Sequence, residues 1–254
     1  MGLIGPVEGR LNSSKTGRTG LAALIDPDNF DLKRAITVAK KTERLGFDCI
    51  FVGGSTLGDQ SHLDDVVRSI KSSVTCPVIL FPGNVTGISR HADAILFSSL
   101  LNSTNTYFLM GAQAIGAIQV NRHHLEAIPM GYLVFGDEST TSFIGQARPI
   151  PYSKSVIAVM YALAAQYLGM RALYLEAGSG SSRPMPADIV HAVRKQFKGL
   201  LIVGGGITNP ETATTLAHAG ADLLVIGNLL ESKDFETKVS PIAKALRDKL
   251  KVKP

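Results

Sequence analysis

The sequence has little of what marks a secreted, membrane-spanning or zinc-clustered protein. Two cysteines occur in 254 residues. Both Cys49 and Cys76 sit inside apolar runs, so no disulfide framework is implied and a reducing interior is expected. The start, Met1 to Asn12, has no basic stretch followed by an apolar block, the pattern of a secretory leader. The longest apolar stretch, Ser155 to Met170, is interrupted by Gln166 and Gly169. It is shorter than the roughly 20 residues a membrane span needs, so it reads as a buried helix. No zinc motif and no Gly-x-Ser-x-Gly elbow is present. No histidine pair stands at a metal-ligand spacing. His123-His124 reads as the end of a helix, where a cation offsets the dipole.

Charge of one sign is also scarce. Lys plus Arg is 26 and Asp plus Glu is 21, a net charge of +5. So small a surplus fits anionic small substrates, or a passing contact with an acidic lipid surface, better than a DNA groove, and no nucleic-acid partner is expected. Apolar residues at 45% and charged residues at 19% exclude disorder and coiled coil. The reading is of a soluble, cytoplasmic globular protein.

What is present is a repeated short apolar run followed by a segment of helical period. The runs are Leu21–Asp26, Cys49–Gly53, Pro77–Phe81, Ala94–Phe97, Gly131–Phe135, Ala172–Glu176, Leu200–Gly204 and Asp222–Gly227. Helices are expected over Leu32–Leu45, Leu63–Ile70, Tyr107–Val120, Tyr152–Leu168, Ala187–Phe197, Pro210–Ala219 and Ile242–Leu250. Continuous apolar strands separated by helices indicate a parallel sheet buried on both faces. Eight strands close an α/β barrel of the (β/α)8 TIM type. The crossover Pro82–Asp93 is too short and too rich in Gly, Pro and Asn for a helix, so the helix after strand three is expected to be missing or irregular. An open doubly wound sheet would put a glycine-rich turn after strand one, and the turn here is Asp26-Pro27-Asp28. Residues 1–20 read as an N-terminal arm and 21–254 as one barrel domain.

In such a barrel the active site lies at the C-terminal ends of the strands. Those ends carry Asp26, Gly53-Gly54-Ser55, Asn84, Ser98, Asp137, Glu176, Gly204-Gly205-Gly206 and Gly227-Asn228. The turns after strands seven and eight form a phosphate cradle, because glycine lets main-chain N–H groups approach an anion. Glu176, at the end of an apolar strand, is costly unless paired or used. It reads as a base for a substrate hydroxyl, with Gly178-Ser179-Gly180 as a third wall of the cradle. Asp26 beside Ser55 suits Mg²⁺, which takes one or two protein oxygens and leaves the rest to substrate. No strand carries the lysine a Schiff-base aldolase needs. A phosphosugar isomerase or lyase, and a non-catalytic phosphometabolite-binding barrel, remain as alternatives.

The segments Leu24-Ile25-Asp26-Pro27-Asp28, Val52-Gly53-Gly54-Ser55, Tyr174-Leu175-Glu176-Ala177-Gly178-Ser179-Gly180, Val203-Gly204-Gly205-Gly206-Ile207 and Ile226-Gly227-Asn228 resemble those of the geranylgeranylglyceryl phosphate synthase and heptaprenylglyceryl phosphate synthase family, in the second of its sequence groups. Asn29 stands where that group often carries Lys. The resemblance implies Mg²⁺-dependent transfer of a prenyl group, geranylgeranyl in the first instance, from a prenyl diphosphate to the 3-hydroxyl of sn-glycerol 1-phosphate. It places Asp26 and Ser55 at the metal. Tyr174, Leu175, Glu176, Ala177, Gly178, Ser179, Gly180, Gly205, Gly206, Gly227 and Asn228 would hold glycerol 1-phosphate, with Glu176 catalytic. It further implies a homo-oligomer, a dimer or a hexamer.

Overall fold

The computed structural model describes residues 4–13, 18–54, 59–137, 139–178 and 183–248. Its eight strands are β1 (Gly20–Ile25), β2 (Cys49–Val52), β3 (Val78–Leu80), β4 (Ala94–Leu100), β5 (Glu126–Val134), β6 (Ala172–Glu176), β7 (Leu200–Gly204) and β8 (Leu223–Ile226). All pair in parallel, each with the next in sequence, and β1 closes on β8. Ala22 pairs with Cys49 on one side and with Val225 on the other, so no edge is left open. The expected (β/α)8 architecture is what the chain forms.

Strand alternation sorts the apolar side chains into two cores. Ala22, Phe51, Leu96, Met130, Tyr174 and Ile202 fill the barrel interior. Ile25, Ile50, Leu80, Leu133, Leu175 and Val203 face the helix layer. That layer holds α2 (Leu32–Arg44), α3 (Gln60–Lys71), α4 (Ala112–Arg122), the short α5 (Thr140–Ile144), α6 (Ser155–Tyr167), α7 (Ala187–Gln196), α8 (Pro210–His218), the four-residue α9 (Asn228–Glu231) and α10 (Phe235–Asp248). Asp31, Asp59 and Asn209 cap α2, α3 and α8 by accepting main-chain N–H bonds from the first turn.

Four expectations need correction. Residues 1–20 are not simply an arm: Pro6–Ser13 forms a helix, α1, whose Val7 and Leu11 complete the interior core at the barrel base. The Glu126 carboxylate accepts the N–H groups of Val7 and Glu8 at 2.8 and 2.7 Å, where the helix dipole favours an anion. Glu8 is ion-paired to Arg171 at 2.8 Å. β5 begins at Glu126 rather than Gly131, because Pro129 stays in the sheet and its carbonyl accepts the N–H of Arg171 at 3.0 Å. The Tyr107–Val120 helix opens with a π-helical turn at Tyr107–Gly111 before α4. The closing helix starts at Phe235, not Ile242. Between β3 and β4 only a 3₁₀ turn, Val85–Gly87, takes the place of an outer helix, as the short crossover implied.

Candidate active site

The missing outer helix leaves a gap, and the gap is a groove. It starts at the barrel mouth by Asp26 and Gly54 and passes Phe81. From there it runs between the 82–88 segment and α4. Ile95 and Phe97, outward-facing on β4, form its back wall. Phe108, Ala112 and Gly116 line it at a spacing of four, one helical face whose two small residues leave room. A second cavity lies under the ends of β7 and β8, lined by Tyr174, Gly205, Gly206, Ile207, Thr208 and Leu229 among others. The two cavities share Leu24, Glu176, Gly227 and Asn228.

Glu176 is therefore at the junction. The inward series Ala172, Tyr174, Glu176 puts its carboxylate at the top of the barrel interior, and the residue is only 6% exposed. The Gly178 N–H donates to Oε1 at 2.7 Å and the Tyr132 hydroxyl to Oε2 at 3.3 Å. Burial pushes the carboxyl above its ordinary value, and the bonds from Gly178, Tyr132 and Tyr174 offset this only in part. Tyr132 and Tyr174 are themselves held far above the usual phenol range, by burial first and the Glu176 charge second, so both stay protonated donors. Phe81 stacks on Tyr174 and meets Tyr132 edge-on, with centroids at 5.1 and 5.6 Å. A wall of three rings thus stands beneath the carboxylate.

The second cavity is lined largely by backbone. Gly205 and Gly206 have φ of +86° and +69°, a left-handed pair of the kind of turn that can present main-chain N–H groups to an anion. A Cβ on Gly205 would lie 2.8 Å from Glu176 Oε1, so the glycine also makes room for that carboxylate. Gly204 has a different purpose: a side chain there would collide with the Tyr174 hydroxyl.

Asp26 continues the inward series of β1 and lines the groove. Its Oδ1 accepts the N–H of Asp28 at 3.1 Å, so it also caps the 3₁₀ turn Pro27–Asn29. Burial raises its carboxyl, the Asp28 N–H bond opposes that, and the charges of Asp28 and Glu231 add to the rise. Among the described residues no group of three or more His, Cys, Asp or Glu is placed to hold a metal. One carboxylate at a groove mouth is compatible only with a cation that takes few protein oxygens and fills its shell with water and ligand oxygens, as hard divalent cations do. Gly54 presses so close that a Cβ there would fall 2.3 Å from Asp26 Oδ2, which keeps this flank of the carboxylate free of side chain.

Of the residues singled out from the sequence, Asp26, Tyr174, Glu176, Gly205, Gly206, Gly227 and Asn228 meet around the two cavities. Leu175 does not: it alternates outward into the helix layer. Ala177 also packs in that outer core, and the Gly178 N–H is committed to Glu176. Asp137 lines neither cavity. Ser55, Ser179 and Gly180 lie outside the described residues. Sequence reasoning passed over Phe81, Tyr132 and Glu231. In the Tyr107–Val120 helix, part of which could line an apolar trench, it singled out the large residues rather than Ala112 and Gly116, whose small size beside a helix-less crossover was the available sign.

Fold and site together define a TIM-type barrel in which a glycine-lined cavity and an apolar groove meet at one buried carboxylate. Residues 17–246 match the PcrB family, and the chain belongs to that family. It is 50% identical over 244 residues to the geranylgeranylglyceryl phosphate synthase of Cenarchaeum symbiosum (strain A), covering 96% of this chain and 99% of that one. The enzyme of the same name from Thermococcus gammatolerans is 51% identical over 208 residues, 82% of each chain. The crystal structure of (S)-3-O-geranylgeranylglyceryl phosphate synthase from Thermoplasma acidophilum in complex with substrate sn-glycerol-1-phosphate superposes with a TM-score of 0.91. It shows 38% identity and covers 97% of this chain and 100% of that one.

Proposed function

We propose that this protein joins a prenyl group, geranylgeranyl by kinship with its relatives, to the 3-hydroxyl of sn-glycerol 1-phosphate, forming the first ether bond of an ether lipid. The observation that carries this reading is the shared boundary of the two cavities at Glu176. A polar cradle for the glycerol phosphate and an apolar groove for the chain would bring their reacting ends together there.

The chemistry follows from the residues. The Gly205-Gly206 concavity and Gly227 hold the phosphate through main-chain N–H groups, which fixes the distance of the glycerol hydroxyl from the groove, a positioning effect. The allylic C–O bond of the diphosphate breaks and its electrons leave with the diphosphate. Positive charge develops on the prenyl carbon beside the rings of Phe81 and Tyr132, whose faces favour a cation. The glycerol oxygen closes the new C–O bond, and its proton passes to Glu176, a stronger base than an ordinary glutamate because it is buried. Asp26, with Ser55, would hold Mg²⁺; when bound, that ion supplies charge neutralisation to the leaving diphosphate. The apolar groove takes the tail out of the barrel along Val85, Ile88 and Phe108.

The proposed setting is cytoplasmic, with transient contact to the lipid surface that receives the product. Among the described residues no helix is long and apolar enough to cross a membrane. A homo-oligomer is supported by the exposed apolar face of α6. The deciding experiment supplies pure protein with glycerol 1-phosphate and prenyl diphosphates of graded length, with and without Mg²⁺, and identifies the product by mass. Phosphosugar isomerisation or lysis without any lipid product would overturn the reading.

A further inference from the structure

Three carboxylates line the groove, Asp26, Glu176 and Glu231, and no lysine, arginine or histidine lines it among the described residues. Glu176 is accounted for at the junction. Glu231 ends α9, the four-residue helix that begins at Asn228 in the cradle. Its Oε1 accepts the side-chain amide of Asn29 at 3.1 Å. Arg34 stacks on Phe30 at 5.3 Å and donates to the main-chain carbonyl of Glu231, not to its carboxylate. Among the described residues the Glu231 carboxylate forms no ion pair, and its Oε2 accepts no bond.

Two carboxylates at the same end of a groove repel a diphosphate, and they repel each other. The arrangement becomes favourable only when positive charge arrives with the substrate. We propose that Glu231 joins Asp26 in holding the divalent cation that accompanies the diphosphate, so that the metal-binding end of the groove draws on both β1 and α9. This rests on the prenyl diphosphate reading of the groove. Asn29 fixes one oxygen of Glu231 and leaves the other for the cation or for a water bound to it. Mg²⁺ takes one or two carboxylates and fills its octahedron with water and phosphate oxygens, which matches a pair rather than a cage. α9 then joins the two anion sites physically, its first residue at the cradle and its last at the cation.

The test uses Mn²⁺ as the probe and electron spin resonance of free Mn²⁺ as the readout, on the full chain with and without inorganic diphosphate. Glu231→Gln is expected to weaken Mn²⁺ binding in the presence of diphosphate on the order of tenfold. Glycerol 1-phosphate affinity by calorimetry should not change. Glu231 is exposed on a short helix, so the glutamine is accommodated, and a melting curve verifies it. Asp26→Asn is the reference. If Asp26→Asn weakens Mn²⁺ binding while Glu231→Gln leaves it equal or tightens it, the role of Glu231 is overturned and the cation site belongs to β1 without α9. If neither substitution alters Mn²⁺ binding, the assignment of diphosphate and cation to this end of the groove fails as a whole.

Discussion

The main-chain N–H of Gly178 donates to Glu176 Oε1 at 2.7 Å, two residues beyond the carboxylate it holds. The bond aims the carboxylate at the boundary of the two cavities, yet burial still dominates and holds the carboxyl above the ordinary glutamate range. The folded chain thus binds this proton more tightly than the unfolded chain. The contribution to stability is complete below the unfolded value and is lost as pH rises through the folded one. Glu176→Gln removes that loss. The variant should melt higher than wild type at neutral pH while its turnover falls on the order of 10²–10⁴-fold, the usual general-base range. The acid limb of kcat in the wild type should lie at higher pH than an ordinary glutamate would give, and it should disappear in the variant. Melting temperature and kcat against pH check both; near-native turnover with intact glycerol phosphate binding would remove Glu176 from its role.

Asp26→Asn should separate the two substrates. The asparagine keeps an oxygen to cap the Pro27–Asn29 turn, so the fold is retained. It lacks the charge that a divalent cation needs. The expected result is a steep rise in the Mg²⁺ required for half-maximal rate, with the KM for glycerol 1-phosphate nearly unchanged. Titration of rate against Mg²⁺ at saturating glycerol 1-phosphate measures this. The reverse pattern would move Asp26 to the cradle.

Gly205→Ala should damage both halves of the site. At φ +86° a side chain costs about 1–2 kcal/mol, and its methyl would press on Glu176 Oε1. Relaxation of the turn to relieve that strain would misalign its main-chain N–H groups, so glycerol 1-phosphate affinity should fall on the order of tenfold, as for a weakened hydrogen bond to a charged group, and kcat should fall with it as the carboxylate is displaced. Calorimetry and steady-state kinetics read the two effects separately. Unchanged affinity would place the phosphate elsewhere.

Much of this was legible in the sequence for one physical reason. Strands buried on both faces must be apolar throughout, so runs such as Ala172–Leu175 announce themselves, and a Glu176 that ends one stands out. The crossover between β3 and β4 was equally plain, because Pro82, Gly83 and Asn84 leave too little chain for a helix. What failed depended on partners distant in sequence. Leu175 and Glu176 are adjacent, but only the pleat decides that one faces the helices and the other the site. Pro129 breaks a run of apolar letters without breaking a strand. α1 is short and weakly patterned, and it is held by Glu126 and Arg171, more than a hundred residues away. The groove face of α4 was harder to read, because small residues such as Ala112 and Gly116 mark a cavity firmly only when the opposite wall is known.

That leaves the outer face of α6, where the apolar pattern predicts a buried helix and the structure leaves one face exposed. Val156, Met160 and Tyr167 are 62%, 63% and 79% exposed, and Leu168 at the helix end is 74% exposed. No charged residue occurs from Ser155 to Met170. Scattered apolar residues on a surface are ordinary, but a continuous uncharged face is not. A helix made to lie on lipid would carry Lys and Arg along its polar side, and α6 has neither, which favours a second copy of this chain as its cover. Met160→Glu should therefore lower the sedimenting mass, since desolvating an unpaired carboxylate at a contact costs several kcal/mol. Glu176 and both cavities are built from other elements, so the dissociated form should keep its kcat at saturating substrate. Sedimentation of the variant at the wild-type mass would show that α6 makes no subunit contact, and the exposed face would then need another cover.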